Sequence, residues 1–204
     1  MAERTCSVSA RPGPLRSKEL SLYAAILAGG LSSRMGRDKR FLKMDGKSMI
    51  ERALKLACDA IGGQPERVFL CGSVPGYPSL PDPIPGLGPL GGLFAGIQQI
   101  PIDSSSRVSW LLVLPVDMPL MTPELLNQLV DTIPHSTRAL AFQNHELPCV
   151  LRCDERVHTQ IQKMCLPSND LSAWRSIRFL LKQLGALRIQ FDESDRSRTS
   201  EIGS

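Results

Sequence analysis

An apolar run, Ala25-Ile26-Leu27-Ala28, passes into Gly29-Gly30-Leu31-Ser32-Ser33-Arg34-Met35-Gly36-Arg37-Asp38-Lys39. A loop of this composition is suited to holding a polyphosphate. Gly29 and Gly30 lack Cβ, so the backbone can bend sharply and approach a ligand closely. Successive amide N–H groups can then converge on one anion. Arg34 and Lys39 add positive charge where the glycines make room. The spacing is not that of the ATPase P-loop, because Gly36 is followed by Arg37. The G-x-G-x-x-G of dinucleotide folds is missing as well.

A second group lies in Pro115-Val116-Asp117-Met118-Pro119, directly after the apolar run Trp110 to Leu114. Ligands of open α/β sheets bind at the carboxyl ends of the strands. A carboxylate there suits Mg²⁺, which prefers hard oxygens and shares them with substrate phosphates. An aspartate before a turn can equally serve the turn itself. A third candidate, Asp82, stands in the proline- and glycine-rich stretch Gly72 to Pro89, where a solvated loop residue is the competing reading. Asp38 is explained as well by a local backbone hydrogen bond as by chemistry. His145 reads as an ordinary loop histidine.

The run L-A-G-G-x-S-x-R-M-G-x-D-K, Leu27 to Lys39 and followed by Gly46, resembles the signature of the molybdenum cofactor guanylyltransferase family. Asp117 matches that family's D-x-P motif, and Asp82 with Gly88-Pro89-Leu90 matches the segment beside its base and sugar. The resemblance implies transfer of GMP from GTP to molybdopterin carrying molybdenum, giving the guanine dinucleotide cofactor and pyrophosphate. It implies a nucleotide site of Leu27, Ala28, Gly29, Gly30, Ser32, Lys39, Asp82 and Asp117. Lys39, Arg34 and Asp117 would be catalytic, and Asp117 would hold Mg²⁺. Proteins that deliver or receive the cofactor would be partners. Arg175 and Arg178, on a late helix with Trp174, are offered to the acceptor's phosphate.

The match is good from Leu22 to Val150 and poor beyond. The family's terminal N-x-N-T-P-x-D-L is absent; Phe191-Asp192-Glu193-Ser194-Asp195 stands there instead. Cys71-Gly72-Ser73 replaces a family asparagine. Asp192 or Asp195 could substitute for the missing metal ligand, Asp117 could suffice with phosphates and water, or catalysis could be lost. Two other functions therefore stay open. One is a cytidylyltransferase for molybdopterin or another small phosphorylated acceptor. The other is a non-catalytic GTP-binding relative with a regulatory or partner role.

Positioning these residues takes a framework of alternating strands and helices. Strands are expected at Leu22–Leu27, Val68–Cys71, Trp110–Leu114, Ala139–Phe142, Pro148–Leu151 and Leu187–Phe191. Ser48-Met49-Ile50-Glu51 reads as a capping box opening a helix that Gly62-Gly63 ends. Further helices are expected at Leu90–Ile100, after the cap Thr122-Pro123, at Asp154–Met164 and at Leu171–Leu184. Gly72 to Pro89 is expected to be a long loop with at most a short strand. The fold class is α/β, a three-layer Rossmann-like nucleotidyltransferase fold with a mainly parallel sheet and helices on both faces.

The 204 residues are read as a flexible leader (1–20), one domain (21–191) and a polar tail (192–204). The leader has no apolar core of a secretory signal, and no apolar run reaches membrane-spanning length. The net charge of +4, without a basic run interleaved with aromatics, argues against nucleic acid and mildly favours anionic substrates. The six cysteines form no disulfide framework. Cys149 and Cys153, with His145 and His158 nearby, lack the second ligand pair of a zinc site. A cytoplasmic location is expected.

Overall fold

The computed structural model describes residues 20–29, 39–102, 108–134, 136–166 and 175–190. Most of the leader, the tail, Gly30, Ser32, Arg34, Asp38 and Trp174 lie outside the described residues, as does the side chain of Lys39.

The strands are β1 (Leu20–Leu27), β2 (Lys43–Met44), β3 (Lys47–Ser48), β4 (Val68–Cys71), β5 (Val108–Pro115), β6 (Ala139–Phe142), β7 (Cys149–Arg152) and β8 (Leu187–Ile189). The helices are α1 (Met49–Ala60), α2 (Pro89–Ile97), α3 (Pro123–Asp131), α4 (Glu155–Cys165) and α5 (Ile177–Gln183). Six strands form one sheet in the order β4-β1-β5-β7-β6-β8. Strand β1 pairs in parallel with β4 and β5, and β6 with β8. Strand β7 runs antiparallel to both β5 and β6.

The sheet is therefore mixed: β4, β1, β5, β6 and β8 run the same way and β7 runs against them, so the expected mainly parallel arrangement holds except at β7. The segment between Phe142 and Cys149 is too short for the crossover that parallel strands require, so β6 and β7 close as a hairpin. Helices cover both faces, as expected. Ala25, Leu27, Leu111 and Val113 pack with α2, α4 and α5 on one side. Ala24, Ile26, Trp110, Leu112 and Leu114 pack with α1 and α3 on the other. Burial on both faces explains why β1 and β5 read as continuous apolar runs rather than alternating ones.

Local chemistry sets the helix starts. Ser48 accepts from the Glu51 amide, and its own amide donates to the Glu51 carboxylate at 2.7 Å, which holds that carboxyl below its usual range. Thr122 caps α3 with Pro123 following. The expected helix Leu171–Leu184 is corrected. Arg175 and Ser176 are not helical, and the Ser176 hydroxyl caps α5 by accepting from the Phe179 amide. A serine that bonds the backbone ahead of it ends the preceding geometry and starts a new helix. The small hairpin β2–β3 was not anticipated, although Asp45-Gly46, both at positive φ (53° and 78°), is a standard hairpin turn.

Candidate functional site

Strand register assembles the site. Leu27 of β1 lies abreast of Cys71 in β4 and Pro115 in β5. The residues that follow each strand consequently emerge at one mouth: Ala28-Gly29, Gly72-Ser73 and Val116-Asp117. Two backbone bonds close the ranks, Ala28 N–H to Cys71 O at 2.8 Å and Val116 N–H to Leu27 O at 3.1 Å. Leu80, in the expected long loop, forms a single bridge to Cys71. That bridge carries Asp82 back to the same mouth.

Glycines make the space. Gly72 has φ +108°, and a Cβ there would stand 2.5 Å from the Gly29 nitrogen. Only glycine permits so close an approach of the two strand ends. Helix α2 uses the same device. A Cβ on Gly92 or Gly96 would press against Cys71 and β1, so their absence lets the helix settle directly on the sheet. This is why a glycine-rich stretch is helical here: proximity to β1 and β4 offsets its poor propensity.

The Asp82 carboxylate sits in the resulting cradle. Its oxygens lie 3.3–3.8 Å from where Cβ atoms on Gly29, Gly91 and Gly92 would be. Oδ1 is buried and has no hydrogen-bond partner among the described residues. Burial pushes the Asp82 carboxyl above its usual range. A carboxylate kept short of partners costs free energy and marks a place for a ligand's donors. Beside it the Cys71 thiol is pushed up to about 12, first by burial and then by the Asp82 charge. It stays a protonated core residue, not a nucleophile.

Asp117 lies in the turn after β5 and is exposed, at the rim rather than in the cradle. Among the described residues no group of three or more His, Cys, Asp or Glu side chains could hold a metal ion. The donor chemistry at this rim is a single carboxylate. It fits an Mg²⁺ that takes its other ligands from phosphates and water, and it would not hold a dedicated protein cage. Lys39 opens a 3-10 turn, Lys39–Phe41, that stands over the mouth. Arg40 of that turn reaches the Ala28 and Ser73 carbonyls, and the sequence had not singled it out.

Other candidates lie elsewhere. Arg178 pairs with Glu146 at 2.6 Å and Arg175 donates to the Leu166 carbonyl. The His145 amide donates to the Phe142 carbonyl within the β6–β7 connection. Cys149 and Cys153 are buried in the apolar core, and burial raises both thiols.

The mixed α/β sheet with flanking helices thus ends in a glycine-lined mouth that holds the Asp82 carboxylate, whose Oδ1 has no partner among the described residues. The sequence model described as MobA-like NTP transferase domain matches residues 24–186. The chain belongs to this family. The molybdenum cofactor guanylyltransferase of Xanthomonas euvesicatoria pv. vesicatoria is 36% identical over 172 residues, 84% of this chain and 84% of that protein. That of Rhizobium meliloti is 36% identical over 135 residues, 61% of this chain and 59% of the relative. A crystal structure from Aquifex aeolicus shares the fold with a TM-score of 0.62 at 21% identity, covering 87% of this chain and 90% of that one. Molybdopterin-guanine dinucleotide biosynthesis protein A of Archaeoglobus fulgidus gives 0.59 at 17% identity, covering 89% and 87%. Among the described residues no helix is long and apolar enough to cross a membrane.

Proposed function

We propose that this protein transfers GMP from GTP to molybdopterin carrying molybdenum, forming the guanine dinucleotide cofactor and pyrophosphate. The observation that carries the reading is the Asp82 carboxylate, set against Gly29 and Gly91 and buried at Oδ1 with no partner there among the described residues. It lies at the carboxyl ends of β1 and β4, where the Leu27–Lys39 run begins. The identity to named guanylyltransferases supports GTP as the nucleotide.

The chemistry asks little of the protein beyond placement and charge neutralisation. An oxygen of the acceptor's terminal phosphate attacks the α-phosphorus. The bond from that phosphorus to the β-phosphate oxygen breaks, and pyrophosphate leaves. The attacking oxygen is already anionic, so no general base is needed. Gly29, Gly30, Ser32 and Arg34 cradle the β- and γ-phosphates. Asp82 accepts hydrogen bonds from the nucleoside, and Lys39 stabilises charge developing at the α-phosphate. Asp117 would hold Mg²⁺, which would supply further neutralisation of the phosphates.

The test is pyrophosphate release by the purified protein with Mg²⁺, molybdopterin plus molybdate, and each nucleoside triphosphate in turn. Release with GTP alone is expected, and Lys39→Ala should lower kcat by ~10²–10³. Release with CTP would move the protein to cytidylyl transfer. GTP binding without release would make it a non-catalytic relative.

A further inference from the structure

We propose that Arg40 is a positioning residue of the nucleotide site, one that aims the Gly29 amide by fixing the peptide to which it belongs. The proposal rests on the reading of this mouth as the nucleotide site. Arg40 Nη1 donates to the Ala28 carbonyl at 3.0 Å and to the Ser73 carbonyl at 2.9 Å. Ala28 follows β1, and Ser73 follows β4. One amino group therefore ties two adjacent strand ends across the mouth, from positions 12 and 33 residues distant in sequence.

The peptide unit is planar and trans, so the Ala28 C=O and the Gly29 N–H are held in opposite directions on one rigid plate. The Ala28 N–H, on the preceding plate, is bonded to the Cys71 carbonyl. With the Ala28 carbonyl also bonded, the second plate cannot turn about Cα, and the direction of the Gly29 N–H is set before any ligand arrives. That amide is the first donor of the glycine run. Gly72 faces this peptide so closely that a Cβ there would stand 2.5 Å from the Gly29 nitrogen. The guanidinium has a second effect. It offsets the partial negative charge of two carbonyl oxygens at a mouth that must admit an anion. Asp82 Oδ1 meanwhile has no hydrogen-bond partner among the described residues.

The experiment uses the full chain as wild type, Arg40→Ala and Arg40→Lys. It reads three quantities: GTP affinity by calorimetry with Mg²⁺, the NMR order parameter of the Gly29 amide without nucleotide, and melting temperature. Arg40→Ala should bind GTP ~10-fold or more weakly, the scale of losing charged hydrogen bonds. The order parameter of its Gly29 amide should fall. Arg40→Lys keeps a cationic donor and should fall between the other two; it also carries the test if Arg40→Ala does not fold. Wild-type affinity in both variants, or an unchanged order parameter at Gly29, would overturn the proposal. A merely structural tie would lower the melting temperature and leave affinity untouched. If the wild type binds no nucleotide, the reading of the site is what fails, and the Gly29 order parameter alone then decides whether Arg40 fixes the peptide.

Discussion

Asp82 and Asp154 are both partly buried aspartates next to the start of a helix, and the fold treats them in opposite ways. Asp154 has every oxygen employed. Its Oδ1 accepts from the Val157 amide and caps α4, while Oδ2 takes Arg138 at 3.1 Å and Arg152 at 3.6 Å. Asp82 has glycines where Asp154 has donors. The first arrangement is what a carboxylate needs to stabilise a structure: capping and charge pairing offset its desolvation. The second leaves the desolvation uncompensated, which a fold tolerates where a ligand supplies the missing bonds.

The largest expected effect comes from filling the cradle. Gly72→Ala puts a methyl 2.5 Å from the Gly29 nitrogen at a residue with φ +108°. It should cost more than ~3 kcal/mol of stability, combining backbone strain with overpacking. Denaturant unfolding measures this, and a loss under about 1 kcal/mol would show that the two strand ends can move apart.

Asp154→Ala comes next. Losing the cap and the shared arginine pairing should cost ~2 kcal/mol, or roughly 4–8 °C in melting temperature. GTP affinity should not change, because Asp154 stands at the opposite end of the sheet, beside the start of β5. A parallel loss of affinity would blur the distinction between the two aspartates.

Asp82→Asn should act in the reverse sense. Removing an uncompensated charge should raise the melting temperature of the nucleotide-free protein by ~2 °C. It should weaken GTP binding by ~10-fold, because an amide accepts less strongly and adds a competing donor.

The smallest effect is in the pH dependence. The Asp82 carboxyl is raised in the folded state, so between its unfolded and folded values the native protein binds more protons than the unfolded chain. The Asp82 contribution to stability should therefore fall as pH rises through the ordinary carboxylate range and level off above the raised value. Asp82→Asn should lack that decline. Identical pH profiles for the two proteins would return Asp82 to the role of a solvated loop residue.

The strands and caps were legible because their signals are local. Val68–Cys71 and Ala139–Phe142 have the expected bounds, and Ser48 and Thr122 cap the helices anticipated for them. The antiparallel β7 and the late start of α5 were less legible. The first depends on how short a connection is in space, and the second on one hydroxyl competing with helix propensity. Arg40 gave no local signal for its role at the mouth, since the Ala28 and Ser73 carbonyls it reaches are brought near only by folding.

The sequence by itself determined the chemical inventory. It placed a glycine run with flanking cations after one buried strand, a carboxylate after another, and an aspartate in a proline-rich loop, all readable from side-chain type and order along the chain. Only the tertiary structure decided their relations. Parallel register set Leu27, Cys71 and Pro115 abreast, the Leu80 bridge returned Asp82 to the mouth, and the bare α-carbons of Gly29, Gly72 and Gly91 drew the walls close around it. Composition along a chain records which groups are present. How much water and how many partners each one keeps depends on packing between segments far apart in sequence, and that is what separates Asp82 from Asp154.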